Sequence, residues 1–348
     1  MNLNEGIHVK EAPYCLLCGH EGSVLYRNLR DQLFGSPGIW ELAQCPRCYF
    51  VWLNPRPIPE DMGKLYSQYF THEFQELVPR MAIMRRFVRN AVLVAHMGYD
   101  DLISSSLKKR IGKILSWVGP LKRRIELSVM TLHAKKGGRL LDVGCGNGIF
   151  LEKMRSLGWE VVGVETDEKA VEVGRKRFGL DIHQGTLEEV DFPPESMDAI
   201  VMHHVIEHVV DPIGTLKECC KILKPLGRLV LITPNVESLG HQLFKKACVH
   251  LDPPRHLHLF APHTLRSCAE KAGLQILELR TLARRASWTW ATSSFIRRSG
   301  RLPGGILKNQ GVWLCLEGLA FYATETLFCL IKNVGEEVLL ISTKCLDK

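Results

Sequence analysis

Leu140-Leu141-Asp142-Val143-Gly144-Cys145-Gly146-Asn147-Gly148 is the stretch on which the reading of this chain turns. An apolar run ends in an acid, and three glycines follow at every second position. Glycine takes up left-handed backbone without a steric penalty and lets a ligand approach the main chain closely. Such a turn between a strand and a helix is a ligand loop, yet a weak signal alone, because phosphate and dinucleotide sites use the same device. Its neighbours narrow the choice. A P-loop needs Gly-Lys-Ser/Thr, which is missing, and a dinucleotide fingerprint needs glycine where Ile149 stands. Asp142, just before the glycines, would repel a pyrophosphate and welcome a cationic amino-acid group.

Working outward, apolar runs alternate with amphipathic ones. Strands are predicted at Arg139–Val143, Glu160–Glu165, Asp181–His183, Asp198–Met202, Arg228–Thr233, Leu274–Leu279 and Glu337–Thr343. Helices are predicted at Phe150–Leu157, Glu168–Phe178, Pro212–Leu223 and Pro262–Ala272, the last closed by Gly273. This rhythm is α/β: a doubly wound, mainly parallel seven-stranded sheet with helices on both faces. Glu165 ends the second strand, 23 residues after Asp142, where an acid can accept both hydroxyls of a ribose.

Together these features resemble the class I S-adenosylmethionine-dependent methyltransferases over about residues 139–344, with their Rossmann-like sheet. The resemblance implies that the Gly144–Gly148 turn, Cys145 within it, cradles the methionine part of S-adenosyl-L-methionine, with Asp142 beside it and Glu165 on the ribose. It further implies that Gly185-Thr186-Leu187-Glu188 borders the adenine, that His203 stands on the cofactor side, and that His204 borders the methionine end as a candidate catalytic group.

The string Ala199–Pro212 follows from the fourth strand, at the strand ends where such sheets bind ligands. Within it Glu207 and His208 open the next helix, a capping role by default. With His204 they resemble the acidic/His metal pattern of ubiquinone-pathway O-methyltransferases, except that the first acid is here a histidine. Asp252-Pro253-Pro254-Arg255-His256-Leu257-His258-Leu259-Phe260 is similar to a string of a large bacterial methyltransferase group that also carries an N-terminal four-cysteine ribbon and acts on glycans, sugars and small molecules. There it lines the acceptor pocket. By that resemblance His256 is expected as the base, since imidazole titrates near the working pH, and Arg255 and His258 as the groups holding the acceptor.

Upstream, Cys15-x-x-Cys18 and Cys45-x-x-Cys48 are two knuckles separated by 26 residues. Four thiolates suit a structural Zn2+ ion, and twelve cysteines without a secretory start point to reduced thiols in the cytoplasm rather than disulfides. The expected organisation is a zinc-ribbon module at 1–59, a basic helical linker or cap at 60–137, and the methyltransferase domain at 138–348 with a helical insertion at about 282–335. Ordinary buried cysteines are the competing reading of the knuckles.

The net charge of +8 is uneven: between Arg80 and Arg139 fourteen Lys and Arg face three acids. Such a block suits an anionic partner, or is a set of solvated helix faces. Leu107, Ile111, Ile114, Leu115 and Val118 form an apolar stripe there. In the insertion, Val312–Ile331 contains Glu317 and Glu325, which argues against a spanning helix and for a buried or interfacial hairpin, with peripheral membrane contact as the second reading. The function expected is methyl transfer to a small-molecule or glycan acceptor, such as a nucleotide- or lipid-linked sugar or a secondary-metabolite intermediate, by in-line O-methylation. A ribosomal RNA methyltransferase with a zinc ribbon is the alternative. Against nucleic acid, the basic residues lack the interleaved aromatics that stack single-stranded bases. A binding module that has lost catalysis is a third reading, opposed by the intact acid and glycine set. The oligomeric state is left open.

Overall fold

A computed structural model of the chain describes residues 6–66, 79–103, 105, 110, 113–114, 119–302, 312–329 and 332–345. Two compact units divide it: Met1–Tyr69 with His203–Cys220 and Leu231–Lys348, and Phe70–Met202 with Lys221–Val230.

The chain begins with five short strands, β1 (Val9–Lys10), β2 (Ser23–Leu29), β3 (Trp40–Gln44), β4 (Val51–Leu53) and β5 (Arg56–Pro57). β2, β3 and β4 form an antiparallel meander, and β1 pairs with β5. The expected basic helical stretch contains α1 (Pro79–Met97) and α2 (Gly119–Leu127). In α1, Ala91, Val92, Leu93 and Met97 are buried, so that helix end packs on protein. Of the stripe read from the sequence, Leu107, Ile111, Leu115 and Val118 lie outside the described residues.

Next come β6 (Arg139–Val143), α3 (Ile149–Arg155), β7 (Glu160–Glu165), α4 (Glu168–Phe178), β8 (Ile182–Gln184), β9 (Met197–His203), α5 (Pro212–Ile222) and β10 (Leu223–Pro234). In β6 every residue but the first is buried, as a strand covered on both faces requires. α4 shows how local chemistry sets its ends. The Asp167 side chain accepts the Lys169 and Ala170 N–H groups at its start, and Gly179 closes it at φ +58°.

The chain continues through α6 (Leu239–Phe244), β11 (His258–Leu259), α7 (Pro262–Lys271), β12 (Leu274–Leu282), α8 (Ala286–Ser299), α9 (Val312–Phe328) and β13 (Glu337–Lys344). Seven strands make a mixed sheet in the order β12-β13-β10-β9-β6-β7-β8. β6 is parallel to β7 and β9, β7 is parallel to β8, and β12 runs antiparallel to β13.

In the first unit the meander takes its fourth strand from far along the chain. β11 pairs with β4, His258 opposite Trp52, giving the order β11-β4-β3-β2. One core joins Trp40, Leu42 and Leu53 to Phe244, Leu251 and Leu257. A buried ion cluster reinforces that seam. The Arg255 guanidinium is fully buried and grips Asp31 of the β2–β3 connection at 2.7 and 2.8 Å, while its Nε donates to Asp252 at 3.0 Å. Asp31 also accepts the Leu33, Phe34 and Ser36 N–H groups, and Phe34 lies under the guanidinium at 4.7 Å. Burial alone would raise the Asp31 pKa, but Arg255 and these amides hold it below the usual carboxylate range.

Arg255→Ala leaves two buried carboxylates without their cation, and an uncompensated buried charge costs about 3–5 kcal/mol. Urea denaturation of this variant will show a lower midpoint, whereas Arg27→Ala, at an exposed pair, will cost under about 1 kcal/mol. Equal midpoints for the two would mean the cluster does not hold the seam.

Candidate functional site

The glycine turn lies between β6 and α3 in the second unit. Gly144, Gly146 and Gly148 take φ of +71°, +55° and +76°. Two of them need glycine for different reasons. At Gly146 a Cβ would meet nothing within 4 Å, so only its left-handed backbone favours glycine there. At Gly148 a Cβ would lie 2.5 Å from Leu180 Cδ1, so that glycine serves packing. The Gly146 N–H donates to Glu165 Oε2 at 2.8 Å, and Glu165 Oε1 accepts the Asp167 N–H at 2.9 Å. Asp142 is buried, and that burial, then the Glu165 charge, raises its pKa well above the usual carboxylate value. Cys145, expected on the cofactor, turns its side chain inward: a Cβ on Gly163 would lie 2.6 Å from its sulfur. Thr186 is exposed, with its N–H on Glu189 at 2.7 Å, and Leu187 is buried.

In the first unit His203 and His204 leave the end of β9 with rings 4.7 Å apart and opposite electrostatic fates. His204 sits at φ +59° with Nδ1 3.1 Å from Glu207 Oε1 and Nε2 2.8 Å from Glu337 Oε1. Burial works against its charge, but the two carboxylates outweigh it and push the pKa up to about 9. Arg284 donates to His203 Nε2 at 2.6 Å and grips Glu337 through Nε and Nη2 at 3.0 and 2.9 Å. His203 keeps an exposed edge, yet its half-enclosed position and then the cations of His204 and Arg284 hold it neutral. His204 was expected as a candidate catalytic group at the methionine end; with both ring nitrogens donating to carboxylates it has no lone pair to receive a proton at neutral pH.

A second group gathers around Glu207, which is fully buried, accepts the Thr233 hydroxyl at 2.9 Å and is held at about 2: burial raises it, but the His204 cation prevails. Its carbonyl receives the Leu257 and His258 N–H groups at 2.8 and 3.1 Å, and so carries the start of β11. Glu207, His208 and His256 each offer one ligand atom, all within 4.8 Å of one another. His256 donates Nδ1–H to the His250 carbonyl at 2.8 Å, a tautomer assigned from that bond, which leaves the Nε2 lone pair directed away from it. Burial pulls His256 and His208 down to about 4. The Tyr66 hydroxyl lies 2.9 Å from His208 Nδ1.

Arg255 and His258, expected to hold the acceptor, are placed otherwise. The Arg255 guanidinium is wholly engaged by Asp31 and Asp252, and His258 is buried, ring-stacked on Phe50 at 5.7 Å with Nε2 on the Val210 carbonyl at 3.3 Å. The residues that sequence reasoning missed are Glu337, Arg284, Asp31 and Tyr66. Glu336-Glu337 at the head of an otherwise apolar strand was the available signal, because acids are rarely buried unpaired.

The four knuckle cysteines converge. Cys15 and Cys48 sulfurs are 3.4 Å apart, Cys18 and Cys45 3.3 Å, and Cys18 and Cys48 3.6 Å. Zn–S bonds of about 2.3 Å in a tetrahedron put sulfurs about 3.8 Å apart, so the set needs only slight widening. Leu17 N–H points at the Cys15 sulfur and Cys48 N–H at the Cys45 sulfur, each at 3.4 Å. Burial raises Cys45, but the Cys48 and Arg47 amides and the neighbouring Cys18 and Cys48 thiols outweigh it and lower its pKa to about 6.

A family profile described as "Methyltransferase domain" matches residues 120–279. Curated relatives include a ubiquinone biosynthesis O-methyltransferase of Bradyrhizobium diazoefficiens, 36% identical over 32% of this chain and 46% of its own length. That of Cereibacter sphaeroides is 31% identical over 45% of this chain and 69% of its length, and that of Thiobacillus denitrificans 30% over 48% and 76%. This chain thus spans about half the length of the first and more than two thirds of the others. A solved Thermotoga maritima methyltransferase is 20% identical with a TM-score of 0.42, covering 82% of this chain and all of that one.

A histidine whose pKa rises on folding adds stability that is full below its unfolded value, 6.5, and lost as pH passes its folded value, about 9. Chemical denaturation across that window will therefore show a loss of stability on the order of 3 kcal/mol that His204→Gln lacks. Parallel profiles for parent and variant would rule out the imidazolium.

Proposed function

The chain belongs to the class I S-adenosylmethionine-dependent methyltransferases, and from that premise we propose that it methylates an oxygen of a small-molecule acceptor whose hydroxyl is itself acidic. The Glu207–His208–His256 group is the observation that carries this reading. When bound, S-adenosyl-L-methionine supplies an electrophilic methyl and a neutral leaving group. The chain's task is then to align the acceptor and receive its proton. His256 is the base of this proposal, because its Nδ1–H is fixed on the His250 carbonyl and its Nε2 keeps a lone pair. Glu207, in the same group, balances the imidazolium that forms. Burial makes His256 a weak base, which suits a phenolic or enolic hydroxyl better than a plain sugar alcohol. The names of the O-methyltransferase relatives point the same way.

The cofactor-holding residues in this reading are Asp142 and the Gly144–Gly148 backbone for the amino-acid part and Glu165 for the ribose. The donor chemistry fits: Asp142 and Glu165 flank an open glycine turn, a cationic amino acid would offset the burial and repulsion that raise Asp142, and Glu165 suits a diol. His203, Thr186 and Leu187 are further candidates for the same ligand. Arg255 and His258 act through the placement of His256. Cys15, Cys18, Cys45 and Cys48 hold a structural Zn2+ ion, which closes its coordination with four thiolates.

Transfer of radiolabelled methyl into fractionated cell extract tests the acceptor. Label in an organic-soluble, acid-titratable compound supports the proposal, label in a glycan fraction overturns the acidic-hydroxyl reading, and label in RNA overturns the small-molecule one. In the same assay His256→Gln will lose about 10²–10⁴-fold in kcat with S-adenosylmethionine affinity intact. Gly146→Val will lose that affinity while the fold persists. A His256 variant as active as the parent would falsify the assignment of the base.

Metal analysis of the purified chain will return one zinc per molecule, and Cys48→Ser will lower that occupancy sharply. Undiminished zinc in that variant would place the ion elsewhere.

A further inference from the structure

The insertion helices carry a surface that neither the sheet nor the histidine cluster uses. α9 packs inward through one stripe. Gly318 closes on α8, where a Cβ would lie 3.0 Å from the Ser287 carbonyl. Phe321 is buried against Trp290 with ring centroids 4.7 Å apart. Glu325 is fully buried and accepts the Glu336 N–H at 2.7 Å. These three contacts fix the rotation of the helix about its axis. At 3.6 residues per turn the opposite stripe is Leu316, Leu319, Ala320, Ala323 and Leu327, and every one of them is exposed. The three leucines are 51, 59 and 60% exposed, and Phe328 beside them 43%.

This arrangement inverts that of an ordinary surface helix, whose outer stripe is polar. An apolar stripe several turns long on a surface marks an interaction site. The charges around it select the partner. Arg297, Arg298 and Arg301 are exposed at and just beyond the end of α8, and Arg298 lies 3.9 Å from Glu317, next to Leu316. Lys332, also exposed, follows Phe328 beyond the other end. Glu325 points inward, so Glu317 is the one exposed acid of the described part of α9. Among the described residues no helix is long and apolar enough to cross a membrane.

We propose that the outer stripe of α9 lies in the interface of an anionic lipid membrane, its leucines among the acyl chains and its flanking cations on the headgroups. A second copy of the chain fits less well. An isologous contact along this stripe sets the cationic ends of one copy against those of the other, parallel or antiparallel. Leucine burial supplies the affinity and the cations supply the preference for anionic lipid.

The test is flotation of the full chain with phosphatidylcholine vesicles, with and without phosphatidylglycerol. The parent will float with the anionic vesicles. Leu319→Glu combined with Leu327→Glu will reduce the floated fraction at least tenfold while retaining the parent's circular dichroism and thermal midpoint. Leu226→Glu, at the exposed tip within β10, will float like the parent. The proposal is overturned if the parent stays with the soluble fraction, or if the double variant floats as well as the parent. It is equally overturned if light scattering shows a parent dimer that the double variant dissolves, because a second copy then covers the stripe.

Discussion

Glu207 is the constraint on which the first unit depends. Its carboxylate is fully buried, takes a hydroxyl hydrogen bond from Thr233 on β10 and pairs with the His204 cation. Its main-chain carbonyl holds the two amides that begin β11. One residue thereby connects the end of a sheet strand, a histidine in left-handed backbone and the string carrying His256. A buried anion persists only when charge and hydrogen bonds surround it. Around Glu207 they come from separate segments of the chain, so forming the anion's shell and assembling the site are one event.

The seam with the N-terminal meander extends the same logic. β4 lends an edge to β11, and Asp31 lends a charge to Arg255. Breaking either partner strands an ion in a dry core. Arg255 looks from its neighbours like a ligand-binding arginine, but its five donors are more valuable as a clamp on two carboxylates. The conformation of His256 follows from that clamp, because Arg255 precedes it and both amides fold back on the Asp252 carbonyl. The sheet that carries the knuckle cysteines at its turns thus also borders the histidine string, through the pairing of β11 with β4.

Much of the fold was legible because its signals are local. The strands read at 139–143, 160–165 and 337–343 and the helices between announced themselves through apolar and amphipathic runs, and the helix at 262–272 through its closing Gly273. The glycine turn and the four cysteines were legible for the same reason, since their chemistry is written in adjacent residues. What remained hidden depends on separation along the chain. Glu337 meets His204 across 133 residues, and Asp31 meets Arg255 across 224. Periodicity carries no record of such encounters. His204 therefore read as a candidate catalytic group and Arg255 as an acceptor-holding one, while the distant acids that engage them went unseen.

The same distance effect separates histidines that are chemically alike. Each begins near 6.5, yet His204 rises to about 9 while His208 and His256 fall to about 4. Burial lowers all three, so burial cannot be what distinguishes them. His204 alone places a carboxylate on each ring nitrogen, and it becomes a fixed cation. That cation partly offsets the charge of Glu207, which would otherwise raise His208 and His256 more strongly. His256 can thus stay neutral within 4.8 Å of a carboxylate, and a neutral imidazole is the only protonation state in which it could receive a proton. The histidine least able to receive a proton is thus the one that leaves His256 neutral and able to receive one.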